Sequence, residues 1–151
     1  MSWQVQAVDA GDPDLHAAIV RPMGEAGTRT QFAFSPHYKT FALFGPEGPE
    51  GGLIAQIYWD WMTIDVLAVP ERWREEGAGR ALMEAAEMAA CEAGCRGLWA
   101  STYSFQSPGF YEALGFQIFG RLPHYPEGEE RLFFAKYLTS DARQCAKDRT
   151  T

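Results

Sequence analysis

A chain of 151 residues, 46% hydrophobic and 14% aromatic, has the size and composition of one folded domain rather than a disordered or fibrous protein. Its formal net charge of −7 argues against a broad phosphate-binding surface for nucleic acid and suits a cationic partner. The apolar runs stop well short of the roughly 18 to 20 residues of a membrane span, and the amino terminus lacks a charged-then-apolar signal pattern. No membrane association and a cytoplasmic location are therefore expected.

WQVQAV, from Trp3, alternates apolar and polar residues as a first strand would, and Asp12-Pro13 then supplies an N-cap and first-turn proline for a helix to about Glu25. The segment from Gly27 to His37 reads equally as a short helix or a loop. YKTFALF and GLIAQIYW are predicted to form an antiparallel hairpin around the Gly-Pro-Glu repeat of residues 45–51, which looks like turn material. MTIDVLAV is a further strand, stopped by Pro70. A helix from Ala78 to Ala93 follows, with Ala78, Ala81, Leu82, Ala85 and Ala89 on one face and Gly94 as its stop.

GLWAST is the next strand, then a short helix around Pro108 to Leu114, then the strands FQIFGR and RLFFAKYL joined by a loop carrying His124 and Tyr125. Residues from about Thr139 are polar and expected to fray. This order predicts one mixed sheet, mostly antiparallel, with a central parallel βαβ crossover and helices on both faces. The crossover places the turn before Ala78 at the carboxyl end of a strand, where α/β sheets bind ligands.

The three cysteines cannot all pair, and Cys91, Cys95 and Cys145 are read as reduced thiols. His16, His37 and His124 show no zinc-ligand spacing with them, so no metal is expected.

A strand ending at Val69-Pro70, then Arg74-x-x-Gly77-x-Gly79, then a long helix resembles the acyl-CoA signature of the GNAT superfamily of N-acetyltransferases. FQSPGFYEALGF, residues 105–116, resembles the same superfamily's later motif, and the pattern of elements matches from about Val5 to Leu138. The resemblance implies one N-acetyltransferase domain over 1–138 with a polar tail over 139–151. It also implies acetyl-CoA as co-substrate, its diphosphate wrapped by Arg74, Glu75, Glu76, Gly77, Ala78, Gly79 and Arg80. Leu67, Ala68 and Val69 would hold the pantetheine arm, together with Gln106.

The physics of the turn agrees, because glycines let successive N–H groups approach phosphate oxygens and the helix start adds partial positive charge. Glu75 and Glu76 are unexpected beside such a site, and they are predicted to point into solvent with Arg74 and Arg80 as compensating cations.

Tyr111 matches the family's proton-donor position, since a phenol stays protonated at neutral pH and can serve a leaving thiolate. Asp65, two residues before Leu67 and so expected on the same strand face, is the candidate general base. Trp59, Trp61, Phe34 and Tyr38 are candidate walls for a cationic acceptor. The implied activity is acetyl transfer to a primary amine of a small molecule by direct attack in a ternary complex. A protein N-terminus or lysine as acceptor, a non-catalytic acyl-CoA sensor, and a homodimer remain open alternatives.

Overall fold

The computed structural model describes residues 4–8, 11–29, 31–32 and 35–139. Phe34, Cys145 and most of the polar tail lie outside these. The chain divides into two compact units, Met1–Ser35 and Pro36–Thr151.

The first unit holds helix α1 (Pro13–Thr28). Asp12 caps it, accepting from the amides of Asp14 at 2.9 Å and Leu15 at 3.3 Å, with Pro13 where a missing N–H costs nothing. The strand expected before it does not form: residues 4–8 have no regular structure and Val5 is 90% exposed. Alternation marks a surface that could pair, but a strand without a partner has no stability of its own.

The second unit is a six-stranded sheet of order β1-β2-β3-β4-β6-β5. Its strands are β1 (His37–Gly45), β2 (Gly48–Tyr58), β3 (Trp61–Ala68), β4 (Gly97–Tyr103), β5 (Gln117–Pro123) and β6 (Glu130–Tyr137). All neighbours are antiparallel except β3 and β4, which the crossover helix α2 (Ala78–Glu92) makes parallel. Helix α3 (Pro108–Ala113) joins β4 to β5.

The hairpin turn is tighter than expected. β1 runs to Gly45 and β2 starts at Gly48, so Pro49, Glu50 and Gly51 belong to a strand. Gly51 has a structural reason to be there, since a Cβ would sit 2.5 Å from the Ala68 carbonyl oxygen.

The core lies between one sheet face and the helices α2 and α3. The sheet contributes Leu53, Ala55, Ile57, Met62, Ile64, Leu98 and Phe134, and α2 contributes Leu82, Met83, Ala86 and Ala90. The buried stripe of α2 is thus Gly79, Leu82, Met83, Ala86 and Ala90, one residue round from the expected face, and Ala81 is exposed. Alanine fits a helix interior face or its surface equally, so the stripe is decided by which residues meet the sheet. Gly94, with φ +76°, ends the helix in the left-handed conformation as expected. Cys95 is fully buried, and burial followed by the nearby Asp60 charge pushes its thiol pKa up, which leaves an inert reduced side chain.

Candidate active site

β3 and β4 pair over three residues only, Trp61, Met62 and Thr63 against Gly97, Leu98 and Trp99. Past Thr63 they part. β3 carries a bulge there: Ala55 of β2 faces Ile64 and Ile54 faces Val66, which leaves Asp65 as the extra residue. An extra residue bends a strand and increases its local twist, and the bend takes β3 away from β4. Between the parted strands opens a cavity of about 920 Å³.

One wall of the cavity is Leu67, Ala68 and Val69; the other is Thr102, Gln106 and Tyr111. Arg74 and Gly79 border it as well, so it reaches the start of α2.

Gly77, at the N-cap of α2, has φ +83°, and no side chain caps the helix. The preceding turn uses the amides of Arg74 and Glu76, which donate to the carbonyls of Glu71 and Trp73. The first amide committed to the helix is that of Ala81, to Gly77 at 3.0 Å. Among the described residues the amides of Gly77, Ala78, Gly79 and Arg80 have no main-chain acceptor. Four unused donors at the positive end of a helix are the kind of feature to which anions bind in general.

Gly79 also packs closely: a Cβ would lie 3.2 Å from the Phe110 ring, tighter than an ordinary contact, so the ring would have to give for a larger residue to fit. Arg74 donates from Nε to the Val69 carbonyl at 3.1 Å, tying the turn to the end of β3. Glu75, Glu76 and Arg80 are exposed, and neither glutamate lines the cavity.

Tyr111 is 7% exposed and lines the cavity from α3. Its ring stacks on Phe134 at 5.4 Å and meets Phe110 and Phe116 edge-on at 5.3 and 5.7 Å. Burial raises the phenol above its ordinary pKa of 10.0, so it is protonated throughout the neutral range. The side-chain oxygen of Gln106 accepts from Thr102 Oγ1 at 2.8 Å and from the Tyr103 amide at 3.3 Å. A main-chain N–H can only donate, so this contact fixes the amide orientation and leaves the Gln106 NH₂ as the donating end.

Asp65 requires a correction. It does not share a face with Leu67: the bulge breaks the alternation, so that Met62 and Ile64 are buried, Asp65 and Val66 are exposed, and Leu67 again packs on the core. The Asp65 carboxylate accepts from Gln56 Nε2 on the sheet face away from α2, and Gln56 in turn accepts from the Tyr58 hydroxyl.

Trp61 is at the other end of β3, roughly 20 Å from Leu67 at about 3.3 Å per residue. It covers Gly97, where a Cβ would meet its ring at 2.7 Å, and packs edge-on against Tyr137 at 5.1 Å. Trp59 occupies the adjoining turn with φ +51°, and Tyr38 is 65% exposed on β1. None of these three lines the cavity.

Six cavity residues, Glu50, Pro70, Thr102, Phe105, Ser107 and Phe110, were not among the expected site residues. Glu50, hidden in the Gly-Pro-Glu repeat, lines the cavity and pairs with Arg72. Phe105, the first residue of the later motif, lines it too and stacks on Tyr103 at 5.4 Å. Among the described residues no three His, Cys, Asp or Glu side chains gather as a metal site requires, and no helix is long and apolar enough to cross a membrane.

The parted strands, the uncapped glycine turn and a tyrosine between them define a fold built to hold an extended anionic ligand. Residues 36–118 match the family model for the acetyltransferase (GNAT) domain. The chain is 39% identical over 122 residues to a blasticidin-S acetyltransferase of Streptomyces morookaense, an alignment covering 80% of this chain and 85% of the relative. An acetyltransferase crystal structure from Bacillus cereus superposes with a TM-score of 0.75 at 27% identity, covering 88% of this chain and 98% of that one. A Bacillus anthracis protein solved in complex with acetyl coenzyme A shares the fold, with a TM-score of 0.62 at 19% identity over 72% of this chain and 67% of that one. The chain belongs to the GNAT family and is an acetyl-CoA-dependent acetyltransferase.

Proposed function

We propose that the protein transfers the acetyl group of acetyl-CoA to a primary amine of a small molecule by direct attack in a ternary complex. The observation that carries this reading is the cavity between β3 and β4, which runs from a buried tyrosine to Gly79 in the first turn of α2, where the helix start leaves four amides unused. That arrangement fits a ligand with a diphosphate at one end and a reactive group at the other. The name of the Streptomyces relative supports a small antibiotic-like acceptor rather than a protein.

Acetyl-CoA supplies an acyl thioester, the activated group that an amine attacks. The amides of Gly77, Ala78, Gly79 and Arg80 bind its diphosphate, and Arg74 adds positive charge at the cavity wall. The edge of β3 that faces β4 has no ladder partner past Thr63, so Leu67, Ala68 and Val69 are available to the amide-bearing arm. A main-chain N–H there polarises the acyl carbonyl, and the Gln106 NH₂ offers one further donor. Tyr111 holds its proton beside the cavity and gives it to the leaving sulfur. The acceptor's ammonium gives a proton to water before it attacks as the neutral amine, and a proton from water restores Tyr111 after the thiol leaves. The bulge sets Asp65 on the opposite side of the strand, so its use as the base would need a bridging water.

The test is a thiol-release assay with acetyl-CoA and a panel of small primary amines, alongside a melting-temperature titration with acetyl-CoA alone. Acceptor-dependent thiol release and a cofactor-dependent rise in melting temperature are expected. A rise without release from any amine would leave a sensor, and no rise would end the reading altogether.

A further inference from the structure

On the sheet face away from α2 lies a group of side chains that acetyl transfer as described leaves unused. β4 turns Leu98, Ala100 and Thr102 inward, so Ser101 and Tyr103 face the other way. Arg131, the β6 partner of Tyr103, reaches along this face. It donates to Ser101 Oγ from Nε at 3.1 Å and from a terminal nitrogen at 2.8 Å. The guanidinium carbon lies 5.6, 5.7 and 5.5 Å from the ring centres of Tyr103, Tyr125 and Phe133.

Among the described residues Arg131 has no carboxylate partner. Its neighbour Glu130 is bound to Arg121 at 2.8 Å, and Glu129 accepts from the Ser104 hydroxyl. A guanidinium carries five N–H donors, and two are used here, so three remain unspent beside three rings. The place is significant. Phe105 both lines the cavity and stacks on Tyr103, so the Arg131 cage adjoins the cavity mouth. Asp65 stands on the same sheet face across the split, on the β3 arm.

We infer that Arg131 is a specificity-determining residue that binds a carboxylate carried by the amine acceptor, an assignment that rests on the acetyl transfer proposed above. Ser101 fixes the plane of the guanidinium, and a fixed fork matches a carboxylate through two parallel N–H bonds. The rings flank the guanidinium and pre-set its position, which lowers the ordering cost of binding. Asp65 offers the opposite charge for the ammonium end, so an acceptor carrying both groups spans the mouth of the split.

The test compares amino acids with the amines formed by removing their carboxyl groups, pair by pair, in the thiol-release assay with acetyl-CoA. In at least one pair the wild type is expected to favour the carboxylate-bearing member about tenfold or more in kcat/KM. Arg131→Gln should erase that preference through KM while leaving the decarboxylated partner within about twofold, and Arg131→Lys should keep part of it. Equal or better turnover of the decarboxylated member in every pair would overturn the assignment, as would an equal loss on both members in Arg131→Gln. Release from other primary amines but from no amino acid would overturn it while leaving acetyl transfer intact. Silence from every amine would remove both.

Discussion

At its first three residues β3 is hydrogen-bonded along both edges, to β2 and to β4; at its last three it is bonded to β2 alone. The closed end is locked by Trp61 over Gly97 and by Arg96, which reaches back to Asp60 in the preceding turn. The open end has no such lock, and its free edge lines the cavity. One extra residue at Asp65 separates the two behaviours. The strand therefore differs along its length by pairing rather than by composition: the paired end has its main-chain groups used on both edges, and the unpaired end leaves those of one edge without a ladder partner beside the cavity.

This contrast can be broken from either end. The largest effect is expected at the open end from Tyr111→Phe, which keeps the ring contacts and removes the proton. kcat should fall by about 10²- to 10⁴-fold with little change in the Kd of acetyl-CoA, measured by steady-state kinetics and calorimetry. The same variant carries a pH signature. Because burial raises the native phenol above 10.0, the folded state holds that proton more tightly, so stability is present below this value and declines as pH rises past it. Tyr111→Phe should lessen that alkaline decline in a denaturant titration.

At the closed end, Met62→Ala removes a fully buried side chain and should cost about 2–5 kcal/mol of stability by chemical denaturation, with kcat retained below the new melting temperature. A large change in kcat with unaltered stability would contradict the contrast between the two ends.

Gly79→Val sits where α2 meets α3 and should cost about 1–3 kcal/mol through overpacking against Phe110. It should also weaken acetyl-CoA by roughly tenfold or more, read by calorimetry, because the shifted helix start moves its amides. The smallest effect is expected from Glu75→Gly with Glu76→Lys. Removing two carboxylates and adding one cation near the diphosphate lowers a screened like-charge repulsion, so acetyl-CoA should bind a few-fold more tightly at low salt and near wild type at high salt. Unchanged or weaker affinity at low salt would count against side chains that point away from the ligand.

Much of this molecule was written in local patterns. The glycine turn, its flanking strand and helix, the later FQSPGFYEALGF motif and the α2 stop at Gly94 are short-range signals, each tied to a backbone requirement that neighbouring residues meet on their own. The strand and helix order followed from periodicity, which depends only on spacing along the chain. Patterns failed where a partner was needed. Among the described residues 4–8 the alternation found no strand to pair with, and the Gly-Pro-Glu repeat became strand because β1 and β3 flank it closely.

The side on which Asp65 stands was beyond the reach of parity, because a bulge is set by register between two strands and no single strand records it. Helix α2 turned one residue from its expected face for a similar reason, alanine being indifferent to burial until a sheet chooses. The sequence by itself determined the glycine turn and the helix that follows it, since both are set by residues that are neighbours in the chain. Only the tertiary structure decided that β3 and β4 part, that Tyr111 meets the resulting space, and that Arg131 sits against Ser101 among three rings. These depend on contacts between segments far apart in sequence, where packing, not local preference, sets position.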